Sequence, residues 1–227
     1  MSGLVVAFGK PEQGDLQKML EKIAHRGPHV SGTFANKRVM MAQNYLHADV
    51  GAGPGNNMQV PVGSSRNGER RICYDGQVGN QEDLSLACGV ESGPFREEKV
   101  LLRLYEQHGP DMLPYLDDAI FAFVISNGEE IFAARDLLGI KTLFYGRKGD
   151  TLYFASELKS LVAVTEEVYE FPPGHYMDST GGLIRFAALP EAPPEALQTD
   201  LEEMIQNIRS IIERSVRNRV DFSLPIA

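Results

Sequence analysis

The sequence predicts a mixed α+β domain over residues 1–186, then a proline-rich linker and the start of a second domain. Two observations predict the mixed fold: short apolar, strand-like runs follow one another closely in residues 119–154, and two separate earlier segments carry helical periodicity. The prolines of residues 187–200 mark where the domain ends, because proline cannot join a β-ladder. With 227 residues, 43% of them hydrophobic, the chain can close one sizeable core.

The N-terminal segment predicts a buried strand followed by an amphipathic helix. Residues 4–8 form an apolar run that ends at Gly9 and Pro11, both of which interrupt regular structure. From Asp15 onward, apolar residues recur at the spacing of one helix face, until Gly27 and Pro28 end the segment. The members of that face are Leu16, Met19, Leu20, Ile23 and Ala24.

The middle of the chain predicts further strands around one loop and one helix. Strands are predicted at 39–45 and 71–74, and the Gly/Asn-rich stretch 51–68 between them is predicted to be a loop. Residues 97–107 predict a helix with acidic residues in its first turn and a Gly-Pro stop. Four more strands are predicted, separated by turn signals, at 119–125, 130–134, 143–145 and 152–154.

The last segment predicts an amphipathic helix. Thr199 and Glu202 can form a capping box, and one apolar stripe follows them. The stripe consists of Leu201, Met204, Ile205, Ile208, Ile211, Ile212 and Val216. A domain that closes near Phe186 leaves this stripe little to pack on, so we expect residues 201–227 to begin, or dock onto, something else.

Composition and charge exclude several classes of protein. The formal net charge of −9 is unlike the basic surface that nucleic-acid binding requires. Two cysteines are too few for a disulfide framework, and the five histidines lack partners at zinc spacing, so no metal site is predicted. The chain has no basic signal region and no run of about 18 apolar residues. We therefore expect a cytoplasmic protein without a membrane span.

Several blocks of sequence together carry a family resemblance. They are Met-Ser-Gly at 1–3, Ala-His-Arg-Gly-Pro at 24–28, Tyr-Asp-Gly-Gln-Val-Gly-Asn at 74–80, Ala-Arg-Asp-Leu-Leu-Gly-Ile-Lys-Thr-Leu-Phe-Tyr at 134–145, Ala-Ser-Glu-Leu-Lys-Ser-Leu at 155–161 and Phe-Pro-Pro-Gly-His-Tyr at 171–176. In order and spacing they resemble the class II glutamine amidotransferase domain of glutamine-hydrolysing asparagine synthetases. The resemblance implies a four-layer αββα sandwich of the N-terminal nucleophile hydrolase type, with two antiparallel sheets between outer helices.

The resemblance implies a nucleophile at position 2. In the family a cysteine becomes the first residue after methionine removal, and its own α-amine serves as the base. Here the position holds Ser2, whose hydroxyl is a poorer nucleophile than a thiol. Removal of methionine before so small a residue is expected, so a serine nucleophile with its own amine as base remains chemically feasible.

The other implied site positions also differ from the family pattern. Asp75 stands where the family has an oxyanion-binding asparagine, and the following Gly76 is retained. Tyr45 stands where an arginine clamps the carboxylate of glutamine, and Glu97 stands where an aspartate binds its α-amine. A carboxylate repels an oxyanion, and losing one donor costs about 3–4 kcal/mol, so we expect glutamine hydrolysis to be impaired.

The remaining polar residues of these blocks are expected to have structural roles. Arg26, Arg135 and Asp136 are predicted to form salt bridges and set turns, or to shape the site or the domain interface. Glu157 and Lys159 are predicted to be exposed to solvent on a helix beside that interface.

Cofactors and partners follow from the same resemblance. No cofactor is expected in this chain, because ATP and magnesium would bind in a C-terminal synthetase domain whose Ser-Gly-Gly-x-Asp-Ser loop would follow residue 227. The expected partners are that domain or subunit and a small-molecule amide, and a homodimer is left open.

Three functions remain open from the sequence. The first is an amidotransferase domain with impaired glutamine hydrolysis, in a protein that transfers glutamine-derived nitrogen to aspartate during asparagine biosynthesis. The second is an amidohydrolase that uses Ser2 as its nucleophile and in which Asp75 and Tyr45 recognise a substrate other than glutamine. The third is a non-catalytic interaction module.

Overall fold

The computed structural model describes residues 2–27, 30–45, 58–60, 62–116, 118–189 and 200–220. The chain forms two compact units, Met1–Ala187 and Ala188–Ala227. Residues 190–199, most of the predicted linker, lie outside the described residues, so the assignment of 187–200 as a linker stays a prediction.

The larger unit contains all the described strands. In chain order its first elements are β1 (Gly3–Phe8), α1 (Asp15–Lys22), a 3₁₀ turn (Ala24–Arg26), β2 (Val30–Ala35), β3 (Val39–Tyr45), β4 (Met58–Val60), β5 (Gly63–Ser64), β6 (Arg71–Val78), α2 (Gln81–Cys88) and α3 (Arg96–His108). They are followed by a 3₁₀ segment (Gly109–Tyr115), β7 (Ala119–Ser126), β8 (Ile131–Arg135), β9 (Phe144–Lys148), β10 (Thr151–Ala155), α4 (Leu158–Leu161), β11 (Glu167–Glu170), β12 (His175–Asp178) and β13 (Leu183–Arg185). The smaller unit contains α5 (Leu201–Arg219).

The strands form two sheets. The first has the order β11-β9-β10-β1-β3-β2-β4 and the second the order β13-β12-β8-β7-β6-β5. Among the described residues, neighbouring strands are antiparallel except for β2 and β4, which run parallel. The N-terminal strand β1 lies inside the first sheet, between β10 and β3, which holds the residue before it in a fixed place.

The alternation of side chains along β1 shows how the layers stack. Val6 packs in an apolar core with Val124 of the second sheet, whereas Val5 packs with Met19 of α1 on the opposite face. Successive strand residues point to opposite faces, so one strand contributes to both cores. A third core joins the outer face of the second sheet to α3, with Leu101 among its members. The layers are therefore helix, sheet, sheet and helix, and the predicted α+β, αββα sandwich is confirmed.

The prediction of a loop over residues 51–68 is wrong in part. β4 and β5 lie within that stretch, whereas residues 51–57 and 61 are outside the described part of the chain. These strands have three and two residues, too few to show an alternating pattern. Gly63 pairs with Ile72, and a Cβ at Gly63 would lie 2.9 Å from the Ile72 side chain, so this glycine permits a close strand contact rather than a loop.

The C-terminal helix α5 confirms the predicted helix and continues past Val216, the last residue of the apolar stripe. Its N-cap is Asp200, which makes no capping hydrogen bond through its side chain, and Thr199 of the predicted capping box lies outside the described residues. The apolar side chains of the stripe are exposed to solvent. No helix in the described parts of the chain is long and apolar enough to cross a membrane.

Candidate functional site

One cavity of about 310 Å³ is lined by every residue that the sequence analysis placed at the site: Ser2, Tyr45, Asp75, Gly76 and Glu97. Ser2 directly precedes β1, Tyr45 is the last residue of β3, Asp75 and Gly76 lie in β6, and Glu97 lies in the first turn of α3. Both sheets and one outer helix layer thus contribute to the cavity. The structure brings these residues together, and their roles there stay predictions.

Gln43 joins the two sheets beside the cavity. This fully buried side chain on β3 accepts a hydrogen bond from the Tyr74 backbone N–H at 2.8 Å and donates to the Tyr74 carbonyl at 2.5 Å. Tyr74 is the residue before Asp75 on β6, so the bridge holds β6 against β3 at the level of the site. Asp75 shares the strand face of Cys73, which packs between the sheets, because strand residues two apart point the same way.

The 3₁₀ turn reaches the cavity through a close backbone contact at Gly27. A Cβ at this position would lie 2.5 Å from the backbone nitrogen of Tyr45 and 2.6 Å from the carbonyl carbon of Asn44. Only glycine permits such an approach. The Asn44 side chain supports it by donating a hydrogen bond to the Ile23 carbonyl at 3.2 Å. The contact brings Arg26, the residue before Gly27, close to the start of β1.

Arg26 connects three groups around the cavity. Its Nε donates to the carbonyl oxygen of Ser2 at 2.9 Å, its Nη2 to Asp75 Oδ2 at 2.6 Å, and its Nη1 to Glu157 Oε1 at 3.2 Å. The side chain is 14% exposed. Arg26 therefore has the salt-bridging role that its sequence block predicted, and it also fixes the backbone of Ser2.

Glu157 is not the solvent-exposed residue that the sequence predicted. It accepts hydrogen bonds from Arg26 and His25 and forms an ion pair with Lys159 at 2.9 Å. Burial raises the pKa of the Glu157 carboxyl, but the hydrogen bonds from Lys159, Arg26 and His25 outweigh this effect, and the net pKa lies below its ordinary value. The prediction failed because two of its partners, Arg26 and His25, are 131 and 132 residues away in the chain.

Asp75 is buried between two cations. Its side chain is 2% exposed, with Oδ2 at 2.6 Å from Arg26 Nη2 and Oδ1 at 3.0 Å from Lys141 Nζ. A buried carboxylate is tolerated when its oxygens are paired in this way. Both oxygens point to protein cations, so Asp75 presents no hydrogen-bond donor to the cavity.

Lys141 is a cavity residue that the sequence analysis did not identify. Asp136 accepts a hydrogen bond from its backbone N–H at 3.1 Å, and Arg135 Nε donates to its carbonyl at 2.7 Å. These bonds fix the turn after β8, the role predicted for Arg135 and Asp136, and they let Lys141 Nζ reach Asp75. Lys141 belongs to the Arg-Asp-Leu-Leu-Gly-Ile-Lys block, which carries part of the family resemblance, so its position in the sequence could have marked it as a site residue.

Glu97 is also engaged by protein groups. Its Oε2 accepts from the Tyr74 hydroxyl and its Oε1 from the Val78 backbone N–H, both at 2.9 Å. Burial, and then the charge of Glu97, raise the pKa of Tyr74 well above its ordinary value. Glu97 thus ties the first turn of α3 to β6, while a carboxylate with about four lone-pair directions can still accept a ligand donor.

Tyr45 forms part of the apolar wall of the cavity. Its side chain is 1% exposed, and its ring meets Phe95 edge to face, with centroids 5.5 Å apart. Phe95 precedes α3 and has a φ of 57°, a conformation that non-glycine residues rarely adopt and that surrounding contacts must hold in place. Tyr45 therefore contributes aromatic packing, and no charged group, to the wall of the cavity.

Arg96 is a second cavity cation that the sequence analysis did not assign to the site. It is the first residue of α3, lines the cavity and is 22% exposed. Its Nε is buried and has no hydrogen-bond acceptor among the described residues. The carboxylate in its ion pair is that of Glu82, with Oε1 at 3.9 Å from Nη1, and Glu82 is 92% exposed.

Comparison with known sequences gives a consistent set of relatives. The profile of the family described as "Glutamine amidotransferase domain" matches residues 1–178. "Asparagine synthetase [glutamine-hydrolyzing] 1" of Saccharomyces cerevisiae is 32% identical over 238 residues, covering 99% of this chain and 40% of the yeast protein. "Asparagine synthetase B [glutamine-hydrolyzing]" of Escherichia coli is 36% identical over 171 residues, covering 71% of this chain and 29% of that protein. The chain spans less than half the length of these relatives.

Solved structures share the fold. The glutamine phosphoribosylpyrophosphate amidotransferase of B. subtilis superimposes with a TM-score of 0.64 at 20% identity, over 82% of this chain and 49% of that one. A structure described as the allosteric regulatory enzyme of purine biosynthesis gives a TM-score of 0.65 at 21% identity, with the same coverage. At this identity the likeness concerns the fold alone, and it agrees with the layered αββα sandwich described above.

Proposed function

The chain belongs to the glutamine amidotransferase domain family, and from that premise we propose that it is the amidotransferase domain of an asparagine-synthetase-type protein whose glutamine hydrolysis is impaired. In such a protein, glutamine-derived nitrogen passes to aspartate to form asparagine. The names of the yeast and E. coli relatives support this class. Because the chain covers 40% of the yeast protein, a synthetase domain or subunit is proposed as the partner that follows residue 227.

The observation that carries the proposal is the pairing of Asp75 with Arg26 and Lys141. Acyl transfer to water needs hydrogen-bond donors aimed at the oxyanion, and removing one such donor lowers the rate by about 10²–10³-fold. Asp75, at the position of the family's donor asparagine, offers only acceptor oxygens, and both are within 3.0 Å of protein cations. Of the two oxyanion positions, only Gly76 keeps the hydrogen-bond donor that the family uses, which is a glycine backbone N–H.

Two further positions support impaired hydrolysis. The hydroxyl of Ser2 is a weaker nucleophile than the thiolate that a cysteine supplies near neutral pH. Tyr45 is 1% exposed and packs on Phe95, so it cannot act as a bidentate, charged clamp for the carboxylate of glutamine. Nucleophile, oxyanion donor and clamp thus all differ from the arrangement that hydrolyses glutamine.

We expect the purified chain beginning at Ser2 to release ammonia from L-glutamine no faster than its Ser2→Ala variant. Intact-mass measurement first establishes that Met1 has been removed, because the nucleophile needs a free α-amine. Ammonia and glutamate are then measured together over many turnovers. Sustained release by the unaltered chain, lost in Ser2→Ala, would refute impaired glutaminase activity.

A Ser2-dependent amidohydrolase of altered specificity is the second candidate. It is favoured by the position of Ser2, which is 8% exposed, lines the cavity with Gly76 and has its carbonyl held by Arg26. In such an enzyme Asp75 would bind a cationic substrate poorly, because its own oxygens already pair with Arg26 and Lys141. Hydrolysis of an amide other than glutamine, abolished by Ser2→Ala, would favour this candidate over the first.

ATP and magnesium belong, in this proposal, to the synthetase domain rather than to this chain. Among the residues that the structure describes, no group of three or more His, Cys, Asp or Glu side chains is placed to hold a metal ion. A cytoplasmic location forms part of the same proposal.

A further inference from the structure

We propose that Arg96 binds the carboxylate of an amino-acid ligand in the cavity through a charged, bidentate contact, which Tyr45 cannot make. The inference rests on the proposed function only in assigning an amino acid to this cavity. It does not depend on whether that amino acid is hydrolysed. According to this proposal, the cavity still binds an amino acid. The residue that contacts the ligand carboxylate lies at the start of α3 rather than at the end of β3.

The first step concerns the unsatisfied donor on Arg96. Its Nε is buried and has no acceptor in the described part of the chain, although a buried donor is normally hydrogen-bonded. The ion pair with Glu82 spans 3.9 Å to a carboxylate that is 92% exposed, and such a pair is screened by water. The Nε itself has almost no accessible surface, so a ligand carboxylate would bind at the terminal Nη groups, whose ion-pair partner is the distant Glu82.

The second step concerns the other cations near the cavity. Lys141 lies 3.0 Å from Asp75 Oδ1, and Arg26 is shared among Asp75, Glu157 and the Ser2 carbonyl. Binding a ligand carboxylate at either of these cations would compete with the buried Asp75. At Arg96 it would compete only with the distant, exposed Glu82. Among the described residues that line the cavity, Arg96 is therefore the cation best able to accept an anion.

The third step concerns the placement of Arg96. It opens the 13-residue helix α3, and the positive end of a helix dipole favours a negative group beside it. The preceding residue is Phe95, whose ring is held against Tyr45. The ring contact between Tyr45 and Phe95 therefore lies directly beside the residue from which the Arg96 side chain extends.

The fourth step concerns the class of ligand. A planar guanidinium pairs with a carboxylate through two parallel hydrogen bonds. Glu97, the next residue, also lines the cavity, and its carboxylate has the charge that pairs with an ammonium group. A cavity of about 310 Å³ lies at the small end of the range for small-molecule sites. An α-amino acid, with both charges on one carbon, matches this pair, and L-glutamine or L-glutamate is the probe.

The test is calorimetric titration of L-glutamine into the full chain carrying Ser2→Ala, so that turnover cannot affect the result. We expect Arg96→Gln to weaken binding by about tenfold or more, and Arg96→Lys to recover part of the loss, because a lysine keeps the charge without the two parallel bonds. Arg103→Gln is the matched control, since Arg103 lies on the same helix, is 49% exposed and pairs with Glu106. It should bind like the parent. Thermal melts verify that each variant is folded.

The chemistry of the contact is tested with 4-aminobutanamide, which is glutamine without its α-carboxylate. It should bind the parent about tenfold more weakly than glutamine does, and Arg96→Gln should not weaken it further. Equal glutamine affinity in a folded Arg96→Gln variant, or no binding of glutamine and glutamate by the parent, would overturn the inference. Either result leaves the proposed function standing, whereas sustained glutamine hydrolysis would remove that function and leave this binding result intact.

Discussion

Asp75→Asn is expected to lower the free energy of unfolding by about 3–5 kcal/mol, even though it restores the residue type that the family resemblance implies at this position. The carboxylate is 2% exposed and lies between Arg26 and Lys141, which are 14% and 16% exposed. An asparagine offers one acceptor oxygen and turns an NH₂ group toward the other cation, so one buried charge loses its partner. Total stabilities of about 5–15 kcal/mol make this a large loss.

Urea unfolding of the parent and of Asp75→Asn measures the loss. Asp150→Asn is the control, because its pair with Lys10 is 2.6 Å long but exposed, and exposed pairs contribute little to stability. Combining Asp75→Asn with Lys141→Met should return part of the loss, since the unpaired lysine is removed. A fully stable Asp75→Asn protein would show that the two cations do not depend on this carboxylate.

Gly27→Ala is expected to cost about 3 kcal/mol and to displace Arg26 from the site. The new Cβ would lie 2.5–2.7 Å from backbone atoms of Asn44 and Tyr45, which cannot move aside as the end of a flexible side chain can. The 3₁₀ turn must then shift away from β3, and with it the guanidinium that bonds Asp75 and the Ser2 carbonyl.

The matched control for this change is Gly182→Ala, where the nearest atom to a new Cβ is the Thr180 hydroxyl oxygen at 3.7 Å. We expect that variant to unfold at the same urea concentration as the parent. The shift of Arg26 is checked through the backbone amide resonance of Gly3, the residue directly after the Ser2 carbonyl. Unchanged stability and an unchanged Gly3 resonance in Gly27→Ala would contradict the close packing of the turn on β3.

The elements that the sequence predicted well are those with enough residues to show a period. The strand at 39–45 was predicted with its observed bounds, and α3 differs by one residue at each end from the predicted 97–107. β4, β5 and β13 were missed because two or three residues carry no alternation, and the four-residue strands β11 and β12 and the helix α2 were not predicted either. β2 was missed as well, and Gly32 in its interior weakens the strand signal.

The candidate site shows a different division between what the sequence could and could not predict. The family resemblance selected five positions that all line one cavity. It did not reveal that Asp75 pairs with Arg26 and Lys141, 49 and 66 residues away. Local sequence patterns contain no information on charge pairs at such separations, so the single substitution to Asp75 looked like an isolated repulsive charge. Three-dimensional contacts show it to be part of a neutralised cluster.

The measurement that tests the central claim most directly is glutamine hydrolysis by Ser2→Cys. This variant restores the family's nucleophile and leaves Asp75 paired with Arg26 and Lys141. If the oxyanion position is blocked by that pairing, ammonia release should stay about 10²–10³-fold below ordinary enzymatic turnover, because a thiolate alone does not replace the missing donor. Sustained hydrolysis at about 1 s⁻¹ or faster, an ordinary enzymatic turnover, would contradict the account and show that the serine alone limits the site.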